Sequence, residues 1–178
     1  MIGAHNMKLL QDYQLLHQQD CFAGNSVMNY TTQIAQLMYS YRPKSFIDYG
    51  CGRASPYFGH EIHQALKLDY EPVCLLYDPA VAAISEKPTD PVGAIICCDV
   101  LEHIPEEELD EILTHIYSLA RVFVFFAIAL VPDGNRKLLD GSDVHVTLKT
   151  KEAWLNLIHK YSTVPTYIAW SPPGLDVV

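Results

Sequence analysis

Three short apolar runs in this chain each end at an aspartate. Ser45 to Tyr49 carries Asp48 and passes straight into Gly50-Cys51-Gly52, Val73 to Tyr77 stops at Asp78, and Val92 to Cys98 stops at Asp99. Short apolar, β-prone runs of this kind read as strands covered on both faces, the pattern of a parallel sheet. Helical periodicity lies between them. Ser26 can cap a helix whose face is Val27, Tyr30, Ile34, Leu37, Met38 and Tyr41, with Arg42-Pro43 as its stop. Ser55 and Pro56 suit the N-cap and first position of a helix reaching about Leu66. Pro105 and Glu106 to Glu108 open a helix with Leu109, Ile112, Leu113, Ile116 and Leu119 on one face. A strand over Arg121 to Val131, a polar loop from Pro132 to Asp143, a Thr150-capped helix to Lys160 and a strand at Tyr167 to Trp170 complete the series. The alternation predicts a Rossmann-like α/β fold: a doubly wound, mostly parallel sheet with helices on both faces and right-handed crossovers. One domain spans residues 1–178, with 1–25 as a polar lead-in segment and 26–178 as the α/β core.

Bulk properties narrow the partners. Apolar residues make up 49% and charged residues 19%, a globular rather than disordered balance. The net charge is -9, and the 12 basic residues form no stripe, which argues against a nucleic-acid backbone as the partner. The cysteines Cys21, Cys51, Cys74, Cys97 and Cys98 show no zinc-ligand spacing, so no metal site is expected. Their odd number and apolar surroundings suit a reduced, cytoplasmic protein. The first residues lack a continuous apolar stretch, and the longest apolar run, Val122 to Pro132, is too short to span a bilayer. No membrane partner is therefore expected, and the oligomeric state stays open.

In a doubly wound sheet, ligands lie beyond the carboxyl ends of the strands, near the switch in strand order. That edge would receive Asp48, Asp78 and Asp99 together. The loop Asp48-Tyr49-Gly50-Cys51-Gly52-Arg53-Ala54-Ser55 has two glycines of a dinucleotide fingerprint, with Ser55 where the third would fall. Its glycines would let a backbone approach a ligand, and the helix start after it would offer free N–H groups to an anion. A tight turn with no ligand is the competing reading. Asp48 would repel the pyrophosphate of a nicotinamide dinucleotide. It suits S-adenosylmethionine, which carries an ammonium, a sulfonium and one carboxylate. Asp78 is placed to accept hydrogen bonds from the ribose hydroxyls, against the alternative of a strand-ending Asp-Pro turn.

The segments SFIDYGCGRASPY, LLYDPAV and IICCDVLEHIPEEEL resemble successive motifs of class I S-adenosylmethionine-dependent methyltransferases. The stretch Asp99 to Pro105 is typical of their small-molecule members, and HVTLKTKEAWLNLI, from His145, resembles the block after their fifth strand. The resemblance covers about residues 26–165. It implies S-adenosylmethionine as cofactor and a small-molecule methyl acceptor. Asp48, Tyr49, Gly50, Cys51 and Gly52 would hold the methionine part, Asp78 and Pro79 the ribose, and Asp99, Val100 and Leu101 would lie near the methyl group.

If the acceptor is a hydroxyl, His103 or His145 can take its proton, the latter following the flexible loop Asp133 to Lys137, which can cover the substrate; a histidine satisfied by backbone is the competing reading for each. Tyr13, Phe22 and Gly24 can close the pocket or merely pack. His60, His63 and Glu106 to Glu108 read as solvent-facing.

The chain departs from the family in two places. Residues 79–91 are too few for a full helix and third strand, which leaves a short edge strand around Ile84-Ser85, and no residue, Asp90 included, stands out for the adenine. Residues 161–178 leave room for one strand but scarcely for a terminal hairpin. A non-catalytic module that binds the cofactor or its demethylated product, and a small nicotinamide-dependent oxidoreductase, are the alternative functions.

Overall fold

The computed structural model describes residues 4–19, 21–171 and 174–177. Six strands form one sheet: β1 (Ser45–Tyr49), β2 (Val73–Tyr77), β3 (Val92–Cys98), β4 (Ala120–Ala129), β5 (Thr166–Ser171) and β6 (Gly174–Val177). Their spatial order is β2-β1-β3-β4-β5-β6. The first five are parallel, and β6 pairs antiparallel with β5. The direction of winding reverses between β1 and β3, so the ligand crevice of such a sheet falls beyond Tyr49 and Cys98.

Each central strand feeds two cores in alternation. From β4, Val124, Phe126 and Ile128 enter one cluster, while Phe123, Phe125 and Ala127 enter the other. The first cluster is covered by α5 (Leu109–Leu119) and α6 (Lys151–His159). The second is covered by α2 (Thr31–Tyr41), α3 (Ser55–Phe58) and α4 (Glu61–Leu66). Burial on both faces explains why these strands are apolar runs rather than alternating ones. Thr150 caps α6 as expected, its hydroxyl accepting the N–H of Ala153 at 3.2 Å.

Several local expectations need correcting. The lead-in segment is largely helical: α1 (Ala4–Gln18) lies at the carboxyl edge of the sheet, with Leu16 packed against Leu138 and Val144. The cap expected at Ser26 is absent, because residues Ser26–Tyr30 form a 3-10 turn ahead of α2. The helix expected from Ser55 to Leu66 is two short ones, broken at Gly59-His60, where His60 takes a left-handed φ of 60°. No strand forms near Ile84; Ala82–Ile84 is a single 3-10 turn, and β2 is the sheet edge. A C-terminal hairpin, for which residues 161–178 scarcely leave room, is present as β5 and β6, because a partner strand of four residues suffices. No helix among the described residues is long and apolar enough to cross a membrane.

Candidate functional site

A cavity of about 610 Å³ opens at the carboxyl edge, over the switch point between β1 and β3. That volume lies in the range of small-molecule sites, roughly 300–1,000 Å³. Asp48, Tyr49, Gly50, Cys51 and Gly52 line it from β1, Asp78 and Pro79 from β2, and Asp99 and Val100 from β3. Leu101 is placed otherwise: its side chain is buried in the core beneath that turn. His103 lines the cavity. His145 does not; it sits behind His103, ring centroids 4.8 Å apart.

The glycine loop does not keep its donors for a ligand. The N–H groups of Gly50 and Cys51 both donate to the carbonyl of Tyr77, at 2.7 and 3.2 Å. Gly52 donates to Asp78 Oδ2 at 2.8 Å. Arg53 donates to the carbonyl of Phe22, Ala54 to that of Cys51 and Ser55 to that of Ala23, at 3.2, 3.0 and 3.0 Å. The free helix N-terminus expected here is therefore occupied by the chain's own segment 22–24. The glycines serve that contact. At Gly24 a Cβ would meet the Cys51 carbonyl at 2.1 Å, and at Gly52 it would meet the Phe22 carbonyl at 2.8 Å. Both positions have positive φ, which only glycine adopts without strain.

The three aspartates stand in different surroundings. Asp48 is 3% exposed and accepts the Tyr57 hydroxyl at 2.7 Å. Burial, with the Asp78 charge adding to it, pushes its carboxyl up to about 7 against the Tyr57 hydrogen bond. Asp78, 7% exposed, closes two turns: besides Gly52 it accepts the N–H of Ala80 at 2.9 Å. Asp99 is held at a left-handed φ of 55° by its N–H donating to the Ala127 carbonyl at 2.9 Å. A non-glycine residue in that region stores strain, which tends to collect at functional sites. The Asp99 Oδ1 is buried with no hydrogen-bond partner among the described residues. Burial raises the Asp99 carboxyl above its ordinary range, opposed by Ser26 and by the charges of His145 and Arg136.

Both candidate histidines spend a proton on a carbonyl. His103 Nδ1 lies 3.0 Å from the Val144 oxygen, and His145 Nδ1 lies 2.7 Å from that of Val131. A carbonyl only accepts, so each Nδ1 carries a hydrogen. Burial, with the charges of His145 and Arg136 against it, pushes His103 down to about 3, leaving it neutral and a weak base. The Tyr13 hydroxyl also donates to Val144, at 2.8 Å, and lies 3.1 Å from His103 Nδ1, fixing α1 to this wall.

Two contributors, His17 and Glu108, carry no sequence signal as cavity residues, and Arg136 is the residue of the 133–137 loop that reaches the cavity. His17, on the last turn of α1, lines the cavity. Arg136 lines it too, with Nε and Nη2 on Asp133 at 3.0 and 2.6 Å and its guanidinium 4.8 Å from the Phe22 ring centroid. Glu108, expected to face solvent, is half-buried at the rim. The loop expected to be a mobile cover is tied together by Asp143, which accepts the N–H groups of Asp133, Gly134 and His145 and the Lys137 ammonium. Tyr13, Phe22 and Gly24 all line the cavity, and His60 and His63 are exposed.

No protein-family model matches the chain, and a comparison with curated proteins returned no match.

Proposed function

We propose that the cavity binds S-adenosylmethionine and that the protein transfers its methyl group to a small-molecule acceptor. The observation that carries this reading is the charge and donor balance of the cavity edge. Four carboxyl groups, of Asp48, Asp78, Asp99 and Glu108, line it, while every loop N–H from Gly50 to Ser55 is already bonded within the chain. Such an edge attracts cations and has no backbone cradle for a pyrophosphate, which disfavours a nicotinamide dinucleotide.

The residues present fit the cofactor. Asp48 and the Asp99 Oδ1 left without a partner supply negative charge for an ammonium and a sulfonium, Asp78 keeps lone pairs for the ribose, and Arg136 stands by for a carboxylate. When bound, the cofactor supplies an electrophilic methyl group. Positioning contributes much of the rate in such a displacement, so the rigid Tyr13–His103–Val144 wall orients the acceptor. Asp99 is better suited than His103 to accept an acceptor proton, since burial raises the one and lowers the other. One observation favours a second reading, a binding module without chemistry: both histidines are tied to backbone carbonyls.

Transfer of a labelled methyl group to a panel of small amines, phenols and thiols separates the two readings. Methyl transfer is expected in the wild type and should fall at least about 100-fold in Asp99→Asn, with S-adenosylhomocysteine still bound. Tight S-adenosylhomocysteine binding with no transfer to any acceptor would support the binding module.

A further inference from the structure

His17 is 8% exposed, and its ring packs 5.4 Å from the Phe22 centroid at the cavity wall. Its Nδ1 makes no hydrogen bond to any described residue. Its Nε2 lies 3.7 Å from Asp78 Oδ1, beyond hydrogen-bond reach. Both atoms belong to residues that line the cavity, so the gap between them is open to a third group. An oxygen about 2.7–2.8 Å from each atom spans the gap, donating to the carboxylate and accepting from the imidazole N–H. Water can do that, and so can a ligand hydroxyl. Burial holds His17 below its ordinary range despite the Asp78 charge and the Phe22 backbone, which both raise it, so the ring is neutral with one N–H to give. The carboxylate favours that hydrogen on Nε2. Asp78 cannot swing away to close the gap, because its two oxygens hold Gly52 and Ala80.

We infer that His17 is a ligand-binding residue which, with Asp78, grips one ribose hydroxyl of the nucleoside, so that α1 is part of the ligand site rather than a cover over it. This rests on the adenosyl reading above. It makes the site composite: the carboxylate comes from the end of β2, and the donor comes from the last turn of a helix far away in sequence. Tyr13, one turn earlier on α1, anchors the helix to the Val144 carbonyl and sets where His17 sits.

The test is competition binding of adenosine, 2′-deoxyadenosine and 3′-deoxyadenosine against S-adenosylhomocysteine, in wild type, His17→Ala and His17→Gln. Wild type should bind S-adenosylhomocysteine and reject one deoxynucleoside by about ten-fold relative to adenosine. His17→Ala should bind S-adenosylhomocysteine about ten-fold more weakly and lose most of that rejection. His17→Gln, whose amide nitrogen reaches roughly the place of Nε2, should recover part of both. Failure of the wild type to bind S-adenosylhomocysteine would remove the adenosyl reading itself. Wild-type affinity in His17→Ala would overturn the role of His17 alone. Weakened binding with the deoxynucleoside rejection intact would also overturn it, since His17 would then only hold α1 in place.

Discussion

The turns after β1 and β3 lie side by side at the same edge, yet they are built in opposite ways. After β1, residues 50–55 have every backbone N–H satisfied by the chain's own oxygens. After β3, the turn leaves polar atoms unsatisfied: Asp99 Oδ1 at the cavity and Glu102 Oε2 beneath it. A loop whose backbone N–H groups are all paired is a scaffold, with no backbone donor left to offer a ligand. Unpaired buried carboxylate oxygens cost folding free energy, and a site keeps them where a ligand or proton compensates. The glycine-rich turn, the part that most resembles a binding motif, thus acts as the frame, and the aspartate turn beside it is the one with carboxylate oxygens left over.

The contrast breaks most severely at Gly24. A Cβ there would meet the Cys51 carbonyl at 2.1 Å, on a backbone at φ +83°. Gly24→Ala should cost roughly 3 kcal/mol of stability and abolish S-adenosylhomocysteine binding, because segment 22–24 can no longer lie on the loop. Denaturant unfolding and a binding titration check both.

A smaller effect is expected at Glu102, which is 0% exposed and accepts the Ala129 N–H at 2.8 Å. Burial and the Asp99 charge push its carboxyl up to about 8. The folded state therefore binds this proton more tightly than the unfolded chain does. The stability it contributes is complete below about pH 4.5 and is lost as pH rises through 8. Glu102→Gln should flatten that decline and raise the Tm at pH 8–9 by about 2–4 °C. Asp48, raised to about 7, leaves a residual slope in the variant. A wild-type Tm unchanged between pH 5 and 8 would mean that Glu102 is already ionised in the fold.

The sheet could be read from the sequence because strands buried on both faces appear as apolar runs, and their aspartate stops mark the ligand edge. For the same reason, nine of the ten expected cofactor residues face the cavity, and only Leu101 turns into the core. What was hidden depends on contacts between distant segments. In α1, Leu9, Tyr13 and Leu16 do fall at helical spacing, but polar residues around them blur the face. His17 gives no local signal at all, since its role comes from Asp78 across the fold. The glycine motif identified the turn but not its partner: two positive-φ glycines, Gly24 and Gly52, let backbone meet backbone. β6 is too short to show periodicity and pairs along the free edge of β5.

Calorimetric titration of the wild-type protein with S-adenosylmethionine, S-adenosylhomocysteine, NAD and ADP decides whether this edge takes an S-adenosyl nucleoside rather than a pyrophosphate. The two adenosyl ligands should bind at one site per chain, while NAD and ADP, with no free loop N–H to receive a pyrophosphate, should bind at least about 100-fold more weakly. NAD or ADP binding as tightly as S-adenosylhomocysteine would mean that the edge does not discriminate for an S-adenosyl ligand.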